Sequence, residues 1–160
     1  MTQTTQISKH LKEVFFGGNW TSVNLKTTLT NVSWEQATKK LHSLNTIAAL
    51  VFHINYYVHT ILQVVKGGPL DAHDKYSFDL PPINNQEEWN QLLEKMWRDA
   101  EQLTELIAPL PDSTLQEIFS EEKYGNYYRN FHGLIEHTHY HLGQIVVIRK
   151  LLDQSNKSNS

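Results

Sequence analysis

Two histidines stand in the apolar seam of the C-terminal stretch of this 160-residue chain. Leu134, His137, His141, Ile145, Ile148 and Leu152 follow one another at intervals of 3, 4, 4, 3 and 4, the spacing of a core-facing helical stripe. At about 100° per residue, His137 and His141 lie roughly 40° apart around the axis with Cβ atoms about 5–6 Å apart, whereas His139 lies roughly 200° away. His139 is therefore excluded from their site. A second stripe, Leu50, His53, Ile54, Tyr57, Ile61 and Val64, turns one more histidine inward, so three imidazoles could converge between two helices.

Imidazole nitrogen is a metal ligand, and burying three rings without partners is costly, a cost that a shared cation removes. Three neutral nitrogen ligands at about 2.0–2.1 Å with a fourth position open to water or substrate make a catalytic type of site rather than a closed structural one. Against this stands the ordinary reading, that a histidine in a core stripe is hydrogen-bonded packing and that His-x-x-x-His arises by chance. His10, His42, His59, His73, His132 and His139 are assigned to packing or to the surface. His53, His137 and His141 are the metal candidates. The donor set suits zinc or nickel first, and also iron, copper or manganese, according to supply.

The rest of the composition narrows the chemistry. Hydrophobic residues at 39% and charged residues at 19% describe an ordinary globular chain, large enough to bury a core without a metal staple. The formal net charge is −3, with no block of Lys or Arg to follow a phosphate backbone, so nucleic acid is not an expected partner. With no cysteine, the chain has no disulfide, no Cys zinc knuckle and no thiol nucleophile of its own. Any thiol must come with the substrate. Residues Met1 to Ser8 are polar, without the apolar core of a signal peptide. Neither a membrane partner nor a location other than the cytoplasm is expected.

The elements that must position the histidines are helices. Apolar spacing predicts a short first helix from Ile7 to Phe16, stopped by Gly17-Gly18. A small helix around Leu25 and Leu29 follows, then the capping box Ser33-x-x-Gln36. The second main helix spans Asn45 to Lys66, capped by Asn45 or Thr46 and ended by Gly67-Gly68-Pro69. At roughly 22 residues it approaches membrane-spanning length, but His53, Asn55, His59 and Gln63 argue against lipid. Leu70 to Asn84 reads as a long loop that crosses over or covers a site. The third helix, Asn85 to Ala108, opens on Asn85-x-x-Glu88 and stops at Pro109. The last runs from Tyr127 to Asp153. Trp34, Trp89 and Trp97 are read as core. The expectation is an all-α, four-helix domain over residues 1–153, with a disordered tail over 154–160.

At His137-Thr-His-Tyr-His141-Leu-Gly143-Gln144-Ile145 the chain resembles the DinB-like superfamily, whose last helix carries His-x-x-x-His-x-Gly-Gln. The resemblance continues in Asn19-Trp20, in Thr46-Ile47 leading to His53-Ile54, and in Tyr124-Gly125, and covers Ile7 to about Leu152. It departs from the pattern at Tyr140 and Leu142, where relatives often carry histidine and arginine. The resemblance implies a four-helix bundle in up-down-down-up order, with Leu70 to Asn84 as the long crossover between helices two and three. It also implies a metal held by His53, His137 and His141, and a homodimer. Gly143 is expected to let a neighbouring helix approach closely, Gln144 to hydrogen-bond near the site, and Tyr57 to be the nearest polar group.

Activities implied by the resemblance are thiol S-transfer and thiol-dependent isomerisation with small thiols such as bacillithiol or mycothiol. The metal would lower the pKa of a low-molecular-weight thiol, giving a thiolate that attacks an electrophile. A hydrolase that activates water at the same position is the alternative, although no His-Glu-x-x-His is present and Glu136 points roughly 100° off His137. A non-catalytic metal-binding stress-response protein is the third reading.

Overall fold

Helices in this chain begin where a side chain accepts from the free N–H groups of the first turn. The computed structural model describes residues 1–158, with side chains through Gln154. Thr2 caps α1 (Gln3–Phe16), Asn24 caps α2 (Leu25–Leu29), Thr46 caps α4 (Ile47–Val65) and Asn85 caps α5 (Gln86–Ile107). At α3 (Trp34–Thr38) the expected capping box is complete, Ser33 accepting from Gln36 N–H and Gln36 accepting from Ser33 N–H, so that two orphan donors are satisfied at once. Helix α6 covers Tyr127–Ser158. Among the described residues there is no strand, only an isolated bridge between Ile118 and Asn126 that closes the turn before α6.

Two boundaries differ from the sequence expectation. Helix α1 starts at Gln3, not Ile7, because its polar first turn is tied down from a distance. The Asp112 carboxylate accepts from the backbone N–H groups of Gln3 and Thr4, and the hydroxyls of Thr4, Thr5 and Ser8 donate to the carbonyls of Leu110, Ala108 and Thr104. Hydrophobic spacing carries no trace of such contacts. Helix α6 runs past Asp153 to Ser158, into the stretch expected to be a disordered tail. No glycine or proline stands there to end it, and Gln and Lys are good helix formers. Residues 159 and 160 of that tail lie outside the described residues.

The four long helices share one buried apolar cluster. Helix α4 packs against α5 and α6, and α1 packs against the same two. Helix α4 is long and apolar enough to cross a bilayer by length and composition, yet 67% of its most apolar stretch is buried inside the protein. The tryptophans behave as read: Trp89 is fully buried with its indole N–H donating to the Val32 carbonyl, and Trp97 packs on Phe16.

The long connection between α4 and α5 lies against α4. Tyr56 accepts from His73 N–H and donates to the His73 carbonyl, Tyr57 donates to the Asp74 carboxylate, and Ser77 is buried. A single 3-10 turn, Asp74–Tyr76, shapes this segment. It thereby covers the face of α4 that carries His53.

Candidate metal centre

Helix α4 brings His53, and α6 brings His137 and His141, to one point at their shared interface. The ring centroids are 4.8 Å apart for His53 and His137, 4.7 Å for His53 and His141, and 4.5 Å for His137 and His141. One nitrogen from each ring lies within 4.8 Å of the others, and these three residues could hold a metal ion. His53 and His141 are buried, at 7% and 8% exposure.

Hydrogen bonds decide which nitrogen each ring offers. His53 Nδ1 lies 3.2 Å from the Ser77 carbonyl oxygen, which only accepts, so the proton sits on Nδ1 and Nε2 turns its lone pair to the centre. His141 Nδ1 donates in the same way to Gln144 Oε1 at 2.7 Å. His137 Nε2 stands 3.0 Å from His53 Nε2. Two ligands on a tetrahedral ion at about 2.0–2.1 Å would be roughly 3.3 Å apart, so this pair already has nearly that spacing. His137 Nδ1 is buried without a partner. The fit to a divalent cation is therefore good: three neutral nitrogen donors converge, two have their tautomer fixed from behind, and no carboxylate or ammonium occupies the middle.

Electrostatics keep the rings in the ligand form. Burial lowers the pKa of His137 to about 4, helped by its two neighbours, and burial likewise pulls His53 and His141 below the ordinary histidine value. Neutral imidazole is the metal-binding species, so little proton competition stands against a cation at neutral pH.

Aromatic rings wall the centre. Phe78 stacks on His53 at 3.9 Å, Tyr57 meets His53 and His137 edge-on at 5.2 and 4.8 Å, and Tyr140 meets His141 at 4.9 Å. The Tyr57 hydroxyl is held by Asp74 at 2.7 Å and its pKa is pushed up to about 12, chiefly by burial. It is a donor fixed to the loop, not a proton source at neutral pH. A cleft of about 570 Å³ opens beside His137 and Tyr57, and a smaller groove of about 340 Å³ beside Gln144.

Of the residues singled out from sequence, Gln144 takes the expected place behind His141, and His139 faces His10 on α1. Gly143 does not do what was expected of it. No neighbouring helix approaches, since a Cβ placed there would meet nothing within 4 Å, and the residue borders the smaller groove. Ser77, Asp74 and Phe78 were not anticipated. Ser77 acts through its carbonyl, which every residue possesses, so its side-chain type gives no signal.

A model of the DinB superfamily matches residues 20–145, a span that includes all three histidines, Gln144 and the segment over His53. No curated protein and no solved structure matches the chain.

Proposed function

Since the chain belongs to the DinB superfamily, we propose that it is a metal-dependent thiol S-transferase, with His53, His137 and His141 as the ligands of one divalent ion. The observation that carries the reading is the convergence of three imidazoles, two of them with their protons fixed away from a centre that contains no anion or cation of the chain's own. Zinc or nickel fits the donor set first, with iron, copper and manganese also accommodated. When bound, the ion supplies a Lewis acid that lowers the pKa of an incoming thiol.

The chain's own part is to hold and shield. Ser77 and Gln144 orient two of the rings, and Phe78, Tyr57 and Tyr140 pack their own rings against them. The absence of cysteine leaves the thiol to the substrate. In the net reaction a sulfur–carbon bond forms, a carbon–oxygen or carbon–halogen bond of the electrophile breaks, and the thiol proton passes to water or, with an epoxide, to the opened alkoxide.

The architecture that goes with this reading is an up-down-down-up four-helix bundle over residues 1–153. In it α1, α4, α5 and α6 are the four members, and Leu70 to Asn84 is the crossover. We take it to act in the cytoplasm as a homodimer, without nucleic-acid or membrane partners. Sedimentation near 18.6 kDa at micromolar concentration would reject the dimer. The functional test is a panel of low-molecular-weight thiols offered with an epoxide or a halide. Metal-loaded protein should accelerate conjugation of one of them, and His53→Ala should remove the gain. No turnover across the panel, with metal bound, would leave the hydrolase or the non-catalytic metal-binding protein as the better account.

A further inference from the structure

The alternation His137-Thr-His139-Tyr-His141 divides between two faces of α6, and its middle histidine is left out of the metal centre. His139 meets α1 instead, where its ring centroid is 6.1 Å from that of His10. Neither imidazole has a hydrogen-bond or ion-pair partner among the described residues, so the pair is not the satisfied packing of an ordinary core histidine. His10 is exposed and His139 half-buried, and the ring nitrogens of His139 are not sealed from solvent as His137 Nδ1 is. A cation arriving from solvent can reach both rings.

Two imidazoles on one tetrahedral ion, with nitrogens at about 2.0–2.1 Å, have ring centroids about 5 Å apart. The histidines of the centre already stand at 4.5–4.8 Å. The His10–His139 pair is wider by about 1 Å, a gap that the exposed His10 side chain closes by turning about its own bonds, with both helices in place. Glu136 supplies a third donor. It is exposed, without an ion-pair partner among the described residues, and lies one turn before His139, about 4.5 Å away along the axis and roughly 60° around it. His132 borders the same α1–α6 groove as His10. It is about 10.5 Å along the axis from His139, too far to share one ion with it.

We propose that His10, His139 and Glu136 form a second site for a divalent transition-metal ion, bridging α1 to α6 on the side of α6 turned away from the three-histidine centre. Two imidazole nitrogens and a carboxylate, with water completing the shell, suit zinc, and copper(II) more tightly. His10 and Glu136 must be immobilised on binding, whereas the rings of the centre are held in advance, so the second ion is the weaker one. It is lost during purification, and the ion retained is that of the centre. The proposal does not depend on the thiol reading.

Calorimetric titration of metal-free full-length protein with zinc should show two equivalents, one tight and one weak. His10→Ala and His139→Ala should each remove the weak equivalent and leave the tight one, and Glu136→Gln should weaken it. The double variant His137→Ala/His141→Ala should do the reverse, losing the tight equivalent and keeping the weak one. Zinc beyond one equivalent should raise the melting temperature of the wild type, because it ties two helices of the folded state together, and should not raise that of His10→Ala. In the double variant, substoichiometric copper(II) should broaden the ring-proton resonances of His10 and His139 before those of any other histidine. A single equivalent in the wild type, a weak equivalent that survives either His10→Ala or His139→Ala, or one lost instead in His73→Ala, overturns the proposal. A weak equivalent without a tight one would overturn the three-histidine centre and leave the second site standing.

Discussion

Helix α4 carries two histidines into two polar clusters, and the two are built on opposite plans. Around His59, on the side facing α5, a single buried carboxylate oxygen of Asp99 accepts from Lys95 at 2.6 Å, from His59 Nδ1 at 3.1 Å and from Asn55 at 3.4 Å. Burial raises the Asp99 pKa, but the Lys95 and His59 hydrogen bonds outweigh it and hold the carboxyl below its ordinary value. Around His53, on the side facing α6, three imidazoles meet with no carboxylate or ammonium bonded to them, the nearby Asp74 being held by Tyr57, and burial lowers the pKa of all three. The first cluster contains both halves of its charge. The second contains donors of lone pairs only, and it is complementary to a cation from outside the chain.

The largest expected effect that would break this contrast is on stability. Asp99→Ala strips three donors of their acceptor and should cost about 2–3 kcal/mol in urea unfolding, below the cost for a wholly buried pair because the Lys95 side chain is 43% exposed. Metal content should not change. In chelated protein, His137→Leu removes a half-buried ring whose Nδ1 is buried without a partner and should be neutral or stabilising by up to about 1 kcal/mol. A loss as large as that of Asp99→Ala would mean that the histidine cluster is a self-sufficient polar core.

Acid should separate the clusters next. A histidine whose folded pKa is depressed stabilises the fold fully above its unfolded value and loses that contribution as pH falls toward the folded one. With His137 lowered from 6.5 to about 4, metal-free protein should lose on the order of 2 kcal/mol over that window. Asp99, depressed from 3.8, contributes stability that persists down to about pH 4 and is lost only below it. Unfolding free energy that stays flat from pH 6.5 to 4 would contradict this ordering.

A smaller effect sharpens the histidine side alone. Gln144→Leu leaves all three imidazoles in place but removes the acceptor that turns His141 Nε2 inward. Chelator competition should show metal affinity falling about tenfold, whereas an unchanged affinity would make Gln144 a bystander.

The histidine face was legible because a helix converts spacing into direction: His137 and His141 share a stripe, His139 does not, and His53 lies at a matched position on α4. The caps at Ser33, Thr46 and Asn85 were legible for the same reason, being local. What escaped reading acts across the chain or through the backbone. Asp112 anchors a helix start more than a hundred residues away, and Ser77 orients His53 with a carbonyl. Gly143 was misread because a glycine on a helix marks an absence, and sequence does not say whether another helix or open space fills it. His59 was assigned to packing or surface, and only the fold reveals Asp99 as its partner.

Metal analysis of protein purified without a polyhistidine tag tests the central claim most directly. The account predicts near-stoichiometric divalent metal, lost for the most part in His53→Ala, His137→Ala and His141→Ala and kept in His59→Ala and His139→Ala. Retention of metal by the first three variants, with loss in either of the last two, would contradict it.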